Sequence, residues 1–254
     1  MRHAEYERGI AQRFLRRKGW WVPPRSQDRE LLDAEVIPVR DLQGNLDDLR
    51  WLNRSLGSHW IICTAVRRVW QGLGSPQQLR LLDVGTGAAD IPVALRRWAQ
   101  RQGVQLTVVA VDNHQGVIEY ARSAVPLAAI TLVRATGLYL PFRPRTFDVV
   151  MCSTMLHHLD WQQGITLLQG LARVTRHSVI VNDLRRSWLH YGGAWLYLSA
   201  FSRNRLTRHD GPLSVLRAYR VDEVRQMASA AGLHGARVST VLGYRWLLTY
   251  TLPE

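Results

Sequence analysis

Residues 81–92 read Leu-Leu-Asp-Val-Gly-Thr-Gly-Ala-Ala-Asp-Ile-Pro: an apolar run meets a tight glycine turn and passes straight into a helix-forming stretch. Such a junction commits this part of the chain to a strand–loop–helix unit built around a ligand. Gly85 and Gly87 lack the Cβ atoms that would hold a ligand away from the backbone, and the helix start behind them offers unpaired N–H groups. A dinucleotide fingerprint calls for a third glycine at position 90 and a pyrophosphate against the helix start. Here Asp90 stands at that position and Asp83 at the strand end. Two carboxylates oppose a pyrophosphate and suit a cofactor that carries positive charge. The β-branched run at 108–111 ends in Asp112, 25 positions beyond Gly87. That is about the spacing at which the second strand of a βαβ unit delivers a carboxylate to a ribose hydroxyl.

On these residues the chain resembles motif I of the class I methyltransferases that use S-adenosylmethionine (SAM), whose sulfonium and ammonium groups are cationic. Ala89 departs from the family's usual third glycine. The resemblance implies that SAM is the cofactor and that Asp83, Gly85, Thr86, Gly87, Asp90, Asp112 and Asn113 hold it. Leu140-Pro141-Phe142, followed by Thr146 to Met151 (TFDVVM), is similar to a region of small-molecule methyltransferases, including the ubiquinone and menaquinone biosynthesis type. In many of those enzymes an acidic residue four positions before the Leu-Pro reads the adenine amino group. Thr136 stands there in this chain, so its hydroxyl or the backbone around Gly137 is expected to take that role, with Ser153 bordering the cofactor.

From residue 79 onward strands and helices alternate. The pattern predicts strands at 79–84, 106–111, 129–134, 147–152 and 178–183, and helices at 90–102, 115–124, 161–174, 188–201 and 221–231. Two closing strands, 235–241 and 244–250, meet at Leu242-Gly243, a hairpin signal. The expected fold class is α/β: a doubly wound, mainly parallel, seven-stranded Rossmann-like sheet with a C-terminal antiparallel hairpin. The chain divides into an N-terminal helical extension, 1–78, and a SAM-binding domain, 79–254, with a lid insertion near 184–217. In the extension, helices are expected at 4–19, 46–56 and about 59–70, with Pro38 and Gly44 as punctuation. The extension is read as a cap on the catalytic domain. The basic amphipathic pattern of 4–19 also admits peripheral membrane contact.

At 254 residues and 46% apolar composition the chain can bury one substantial core. It contains no apolar stretch of transmembrane length, and no apolar signal region follows Met1, so a soluble cytoplasmic protein is expected. With Cys63 and Cys152 as its two cysteines, neither a disulfide framework nor a metal site is expected. The net charge of +13 raises nucleic acid as a partner. Every basic residue except Lys18 is arginine, however, and the arginines are spread along the chain, which weakens that inference.

Residues 152–159 (CSTMLHHL) follow the fourth strand, where strand ends face the ligand crevice of an open α/β sheet. The segment contains neither the Asp-Pro-Pro-Tyr pattern of base amino-methylation nor a cysteine after proline. It offers His157 and His158, bases that titrate near neutrality. The apolar piece 188–201 (WLHYGGAWLYLSAF) is too short to span a bilayer and fits either a core helix or the wall of an apolar substrate channel. The segment 207–212 is read as a loop around a Gly-Pro turn, either a charged surface loop or a lid that carries His209 over the acceptor. Together residues 46–59, the glycine loop and 182–212 resemble bacterial methyltransferases that accompany type III polyketide synthases and act on phenolic or quinol lipids. The resulting expectation is methyl transfer to a small, apolar, lipophilic aromatic acceptor, on oxygen rather than carbon, with His157 or His209 as the base. RNA methylation through the arginine-rich surface and a non-catalytic SAM-binding role are the alternatives.

Overall fold

In the computed structural model, residues 22–34, 36–125 and 130–253 are described. The helix expected at 4–19 lies outside them. Two helices precede the sheet, α1 (Val39–Ser55) and α2 (Ser58–Gly72). Then come β1 (Gln78–Val84), α3 (Asp90–Arg101), β2 (Gln105–Asp112), α4 (Gln115–Ala124), β3 (Ile130–Arg134), β4 (Phe147–Ser153), α5 (Trp161–Val174) and β5 (Thr175–Leu184). Helices α6 (Trp188–Phe201), α7 (Arg205–Arg217) and α8 (Val221–Ala230) lead to β6 (Arg237–Val241) and β7 (Arg245–Thr251).

The seven strands form one sheet in the order β3-β2-β1-β4-β5-β7-β6. The first five are parallel, and β7 runs antiparallel to both β5 and β6. Strand β4 is buried along nearly its whole length and β1 from Leu81 onward, which is why these stretches read as apolar runs and not as alternating ones. The hairpin turns at Leu242 and Gly243, both at positive φ (52° and 79°), the backbone that a tight hairpin needs.

Two cores flank the sheet. On one face α5 and α8 pack Leu167, Leu168, Leu171 and Met227 around Trp246. On the other, α2 and α3 pack Ile62, Val66, Leu95 and Trp98 against Leu79, Leu81 and Val108. Asp160 caps α5, accepting from the N–H of Gln163 while the Gln163 side chain returns to the Asp160 N–H. A third cluster joins Leu42 and Leu46 of α1 to Ala88, Val117 and Tyr120, so the helices before the sheet pack on the domain.

The structure corrects three expectations. Helix α1 begins at Val39, seven residues before the expected start, because Pro38 is tolerated at a helix N-cap. Gly44 is interior to it, and a Cβ there would meet Asn204 Nδ2 at 2.7 Å, so this glycine lets the start of α7 close on α1. Residues 207–212 are not a loop but the middle of α7, Pro212 included. The 188–201 segment is helical as expected yet is no core helix. Only Leu198 is buried, whereas Leu189, Trp195, Leu196 and Phe201 are exposed.

Trp246 is wholly buried between β5 and α5, while Trp60 on α2 is 59% exposed. Trp246→Ala should cost about 3–5 kcal/mol of stability in urea denaturation. Trp60→Ala should stay within about 0.5 kcal/mol.

Candidate active site

The carboxyl ends of the parallel strands open into one cavity of about 670 Å³. All ten residues expected to hold the cofactor line it: Asp83, Gly85, Thr86, Gly87, Asp90, Asp112, Asn113, Thr136, Gly137 and Ser153. His157 lines it as well. His209 does not, and its ring, half exposed on α7, leans on Asp210 at 2.8 Å.

The glycine loop is held by the strands on either side. The N–H groups of Gly85 and Thr86 both donate to Val111 O, at 2.8 and 2.9 Å, and the Gly87 N–H donates to Asp112 Oδ2 at 3.0 Å. The two glycines serve different ends. A Cβ on Gly85 would strike Met155 Sδ at 2.7 Å, whereas one on Gly87 would meet nothing within 4 Å. Gly87 therefore gives the ligand its approach, and Gly85 gives the β4 loop its packing. Ala89, in place of a glycine, takes φ 54° as the residue before α3 and is fully buried.

Acidic side chains dominate the cofactor half. Asp83 is buried and accepts one hydrogen bond, from the Thr86 hydroxyl at 2.7 Å. Burial, reinforced by Asp90 and Asp112, pushes its carboxyl up to about 7 against the opposing Thr86 bond. Burial likewise raises Asp112, opposed by the His114 and Gly87 N–H groups. Asp90 is tied to the preceding helices, 2.6 Å from His59 Nε2 and 3.5 Å from Asn53 Nδ2. Three desolvated carboxylates on one side of a cavity are the complement of a cation, which fits the sulfonium and ammonium groups of SAM.

The other half was only partly legible in the sequence. His157 donates its backbone N–H to Asp183 Oδ2 at 3.1 Å, and its Nδ1 lies 2.7 Å from Asp183 Oδ1. Burial alone would raise Asp183. The His157 ring and the N–H groups of His157 and Leu184 outweigh it and hold the carboxyl below the usual range. With Nδ1 engaged, Nε2 of His157 points toward Glu30, whose Oε1 is 3.7 Å away. Burial, with Asp210 adding to it, pushes Glu30 up to about 7 against the pull of His158 and Arg217. Sequence reasoning missed Glu30, Asp33, Asp183 and Arg217. Asp183 carried a signal, an acid ending an apolar strand as Asp83 and Asp112 do; Glu30 carried none, because tertiary contacts alone bring it to the site.

Glu30 is held by α7. The Asp210 carboxylate accepts the N–H groups of Leu31 and Leu32 at 2.8 and 2.9 Å, and the Ser214 hydroxyl donates to Glu30 Oε1 at 3.0 Å. Glu30, His157 and His158 bring a carboxylate oxygen and two ring nitrogens within 4.8 Å of one another, a donor set that could hold a divalent cation. Arg217 already supplies positive charge there, 3.7 Å from Glu30 Oε1 and 3.3 Å from Asp33 Oδ2.

Asp83, like Glu30, makes stability depend on pH. Its folded pKa lies above the ordinary carboxyl value, so between about pH 4 and 7 the folded chain keeps a proton that the unfolded chain has lost. Its contribution is complete below that window and is lost as pH rises through about 7. Urea denaturation from about pH 5 to 8 should show Asp83→Asn losing less stability than the native chain; parallel curves would refute the assignment.

Residues 81–178 match the methyltransferase domain family. No curated protein matches the chain in sequence. Among solved structures, a SAM-dependent methyltransferase from Aquifex aeolicus superposes with a TM-score of 0.50 at 20% identity, over 73% of this chain and 89% of that one. Magnesium protoporphyrin IX methyltransferase from Synechocystis, solved with SAM bound, gives 0.52 at 15% identity, over 78% and 81%. A putative O-methyltransferase from Nostoc punctiforme gives 0.54 at 14% identity, over 80% and 60%. At these identities the superpositions speak for the fold, and the family match speaks for the domain. The methyltransferase domain matched over residues 81–178, the strand order and the acidic cavity around the glycine loop together support a SAM-dependent methyltransferase enzyme.

Proposed function

We propose that the protein methylates a small, apolar aromatic acceptor, on a phenolic or quinol oxygen in preference to a ring carbon. The observation that carries this reading is the mixed lining of the cavity, in which the acids around the glycine loop share the walls with apolar side chains, Leu46, Leu49 and Leu52 of α1, Leu184, and Tyr197 and Leu198 of α6. Bound SAM supplies a methyl group on a sulfonium that is already an excellent leaving group. Asp83 and Asp90 would hold its positive charge, and Asp112, whose oxygens already accept the Gly87 and His114 N–H groups, would hold its ribose hydroxyls. Asn113, Thr136, Gly137 and Ser153 border the remainder.

The chain's further task is to place the acceptor oxygen in line with the methyl group and to take its proton. His157 has the geometry for that base. Asp183 accepts the Nδ1 proton, fixing the tautomer in which Nε2 carries the lone pair, and Nε2 is directed into the cavity side shared with Glu30. In that position Nε2 would take the proton of an acceptor O–H as the oxygen is methylated. His209, half exposed and outside the cavity wall, is not placed for this step.

The exposed face of α6 supports a lipophilic acceptor and peripheral contact with a membrane. It presents Leu189, Trp195, Leu196 and Phe201 on a helix with no charged residue, and the same helix lines the cavity through Ala194, Tyr197 and Leu198. Among the described residues no helix is long and apolar enough to cross a membrane. RNA is disfavoured because several arginines are spent inside the fold. Arg186 donates to Pro23 O, Ala218 O and Glu223, Arg217 to His157 O, Asp28 O and His158 O, and Arg25 lies over the Tyr219 ring.

Radiolabelled SAM offered with alkylated phenols, demethylated quinols and total RNA in parallel should place label in the organic fraction; label in RNA would overturn the reading. His157→Ala should lower turnover by about 100-fold or more, with SAM affinity nearly unchanged in calorimetry. An equal loss of SAM affinity would move His157 from catalysis to cofactor binding. Leu189→Ser and Leu196→Ser together should reduce co-sedimentation with phosphatidylglycerol vesicles while leaving turnover of a water-soluble phenol intact.

A further inference from the structure

Arg245 opens β7, paired with Leu184 of β5 and Val241 of β6. Its side chain is 3% exposed and lines the cavity. Neither Nε nor Nη1 has a hydrogen-bond partner among the described residues. The other buried arginines are treated differently: Arg186 and Arg217 each donate to three acceptors. Asp183 is the carboxylate whose charge acts on Arg245, and its oxygens are spent on the His157 ring and on the N–H groups of His157 and Leu184. Asn182, two residues before Leu184 and so on the same face of β5, also keeps a buried, unpartnered Oδ1. Burial lowers the pKa of Arg245, opposed by Asp183, which marks its charge as poorly compensated. A guanidinium does not escape such a cost by losing its proton, so an unpaired buried one is expensive unless something pairs with it.

We propose that Arg245 anchors a carboxylate of a molecule bound in this cavity. The rest of the cavity restricts the anion. Asp83, Asp90, Asp112 and Glu30 line the same space and would repel a multiply charged phosphate. A planar monoanion presents little charge to them and matches the guanidinium plane. Two molecules could bring that carboxylate: SAM, through its amino-acid end, or an acceptor that is itself an aromatic acid. The assignment rests on the cavity being the cofactor and acceptor site proposed above, and it adds the polar group by which one of the two is recognised.

The test uses the full chain, Arg245→Met and Arg245→Lys, with calorimetric titration of two ligand pairs that differ by a carboxylate. One pair is SAM and decarboxylated SAM; the other is 2,4-dihydroxybenzoate and resorcinol, titrated with S-adenosylhomocysteine present. The native chain should bind the carboxylated member of one pair at least tenfold more tightly. Arg245→Met should abolish that preference and leave the other pair unchanged, and Arg245→Lys should keep part of it. A preference in the first pair assigns the carboxylate to the cofactor, and one in the second assigns it to the acceptor. In the ligand-free state Arg245→Met should melt no lower than the native chain, because it removes an unpaired buried charge. Lower melting would mean that the guanidinium serves the fold, and unchanged binding of all four ligands would mean that it anchors nothing; either result overturns the proposal. Failure of the native chain to bind SAM at all would instead defeat the methyl-transfer reading.

Discussion

Desolvated acids at the carboxyl edge of the sheet are the constraint around which this molecule is organised. Strands β1, β2 and β5 deliver Asp83, Asp112 and Asp183 to that edge, and Asp83 and Asp183 are almost wholly buried. A buried carboxylate must be bonded, paired or protonated. Each of the three meets that demand in its own way. Asp112 accepts backbone N–H groups of the loops it organises, Asp183 takes the His157 ring, and Asp83 has only a hydroxyl and is pushed toward protonation. The difference divides the labour. The best-paired acid orients the His157 ring, and the least-paired acid keeps only a hydroxyl partner.

The polypeptide before the sheet completes this arrangement from above. Arg25 donates to His157 O and Leu159 O, and Arg217 joins that same loop to Asp28 and Asp33. Asp210 holds the short turn at Leu31 and Leu32 by its backbone, which sets Glu30 opposite His157. The acceptor half of the cavity is therefore assembled from four distant stretches: the segment around Glu30, helix α1, the β4 loop with His157, and the α6–α7 pair. The wall contributed by α6 is the least buried of them.

The legible parts of the sequence were those in which local pattern and burial coincide. The leucine run before Asp83 and the valine run before Asp112 read correctly as strands because most of their residues are buried in the parallel sheet. Helices α4, α5 and α6 were placed to the residue, since their periodicity or composition changes sharply at each end. The Gly-Pro pair in α7 misled because turn chemistry was weighed without the neighbours. Asn204 caps that helix through the N–H groups of Leu206 and Thr207, and α6 packs along it, which sustains a helix across Pro212. Gly44 misled in the same way, since its missing side chain admits Asn204 and does not end α1.

By itself the sequence determined the sheet and the cofactor loop, because strand burial, glycine spacing and a strand-end acid are encoded within a few tens of residues. The tertiary structure decided which of the two candidate histidines faces the cavity, that Glu30 and Arg217 stand beside it, that the aromatic helix lies on the surface, and that Nε and Nη1 of Arg245 are buried without a partner among the described residues. Those outcomes depend on contacts between residues more than a hundred positions apart, and on which charges the fold leaves uncompensated. No local pattern carries that information, because the energy of a buried charge is set by everything packed around it.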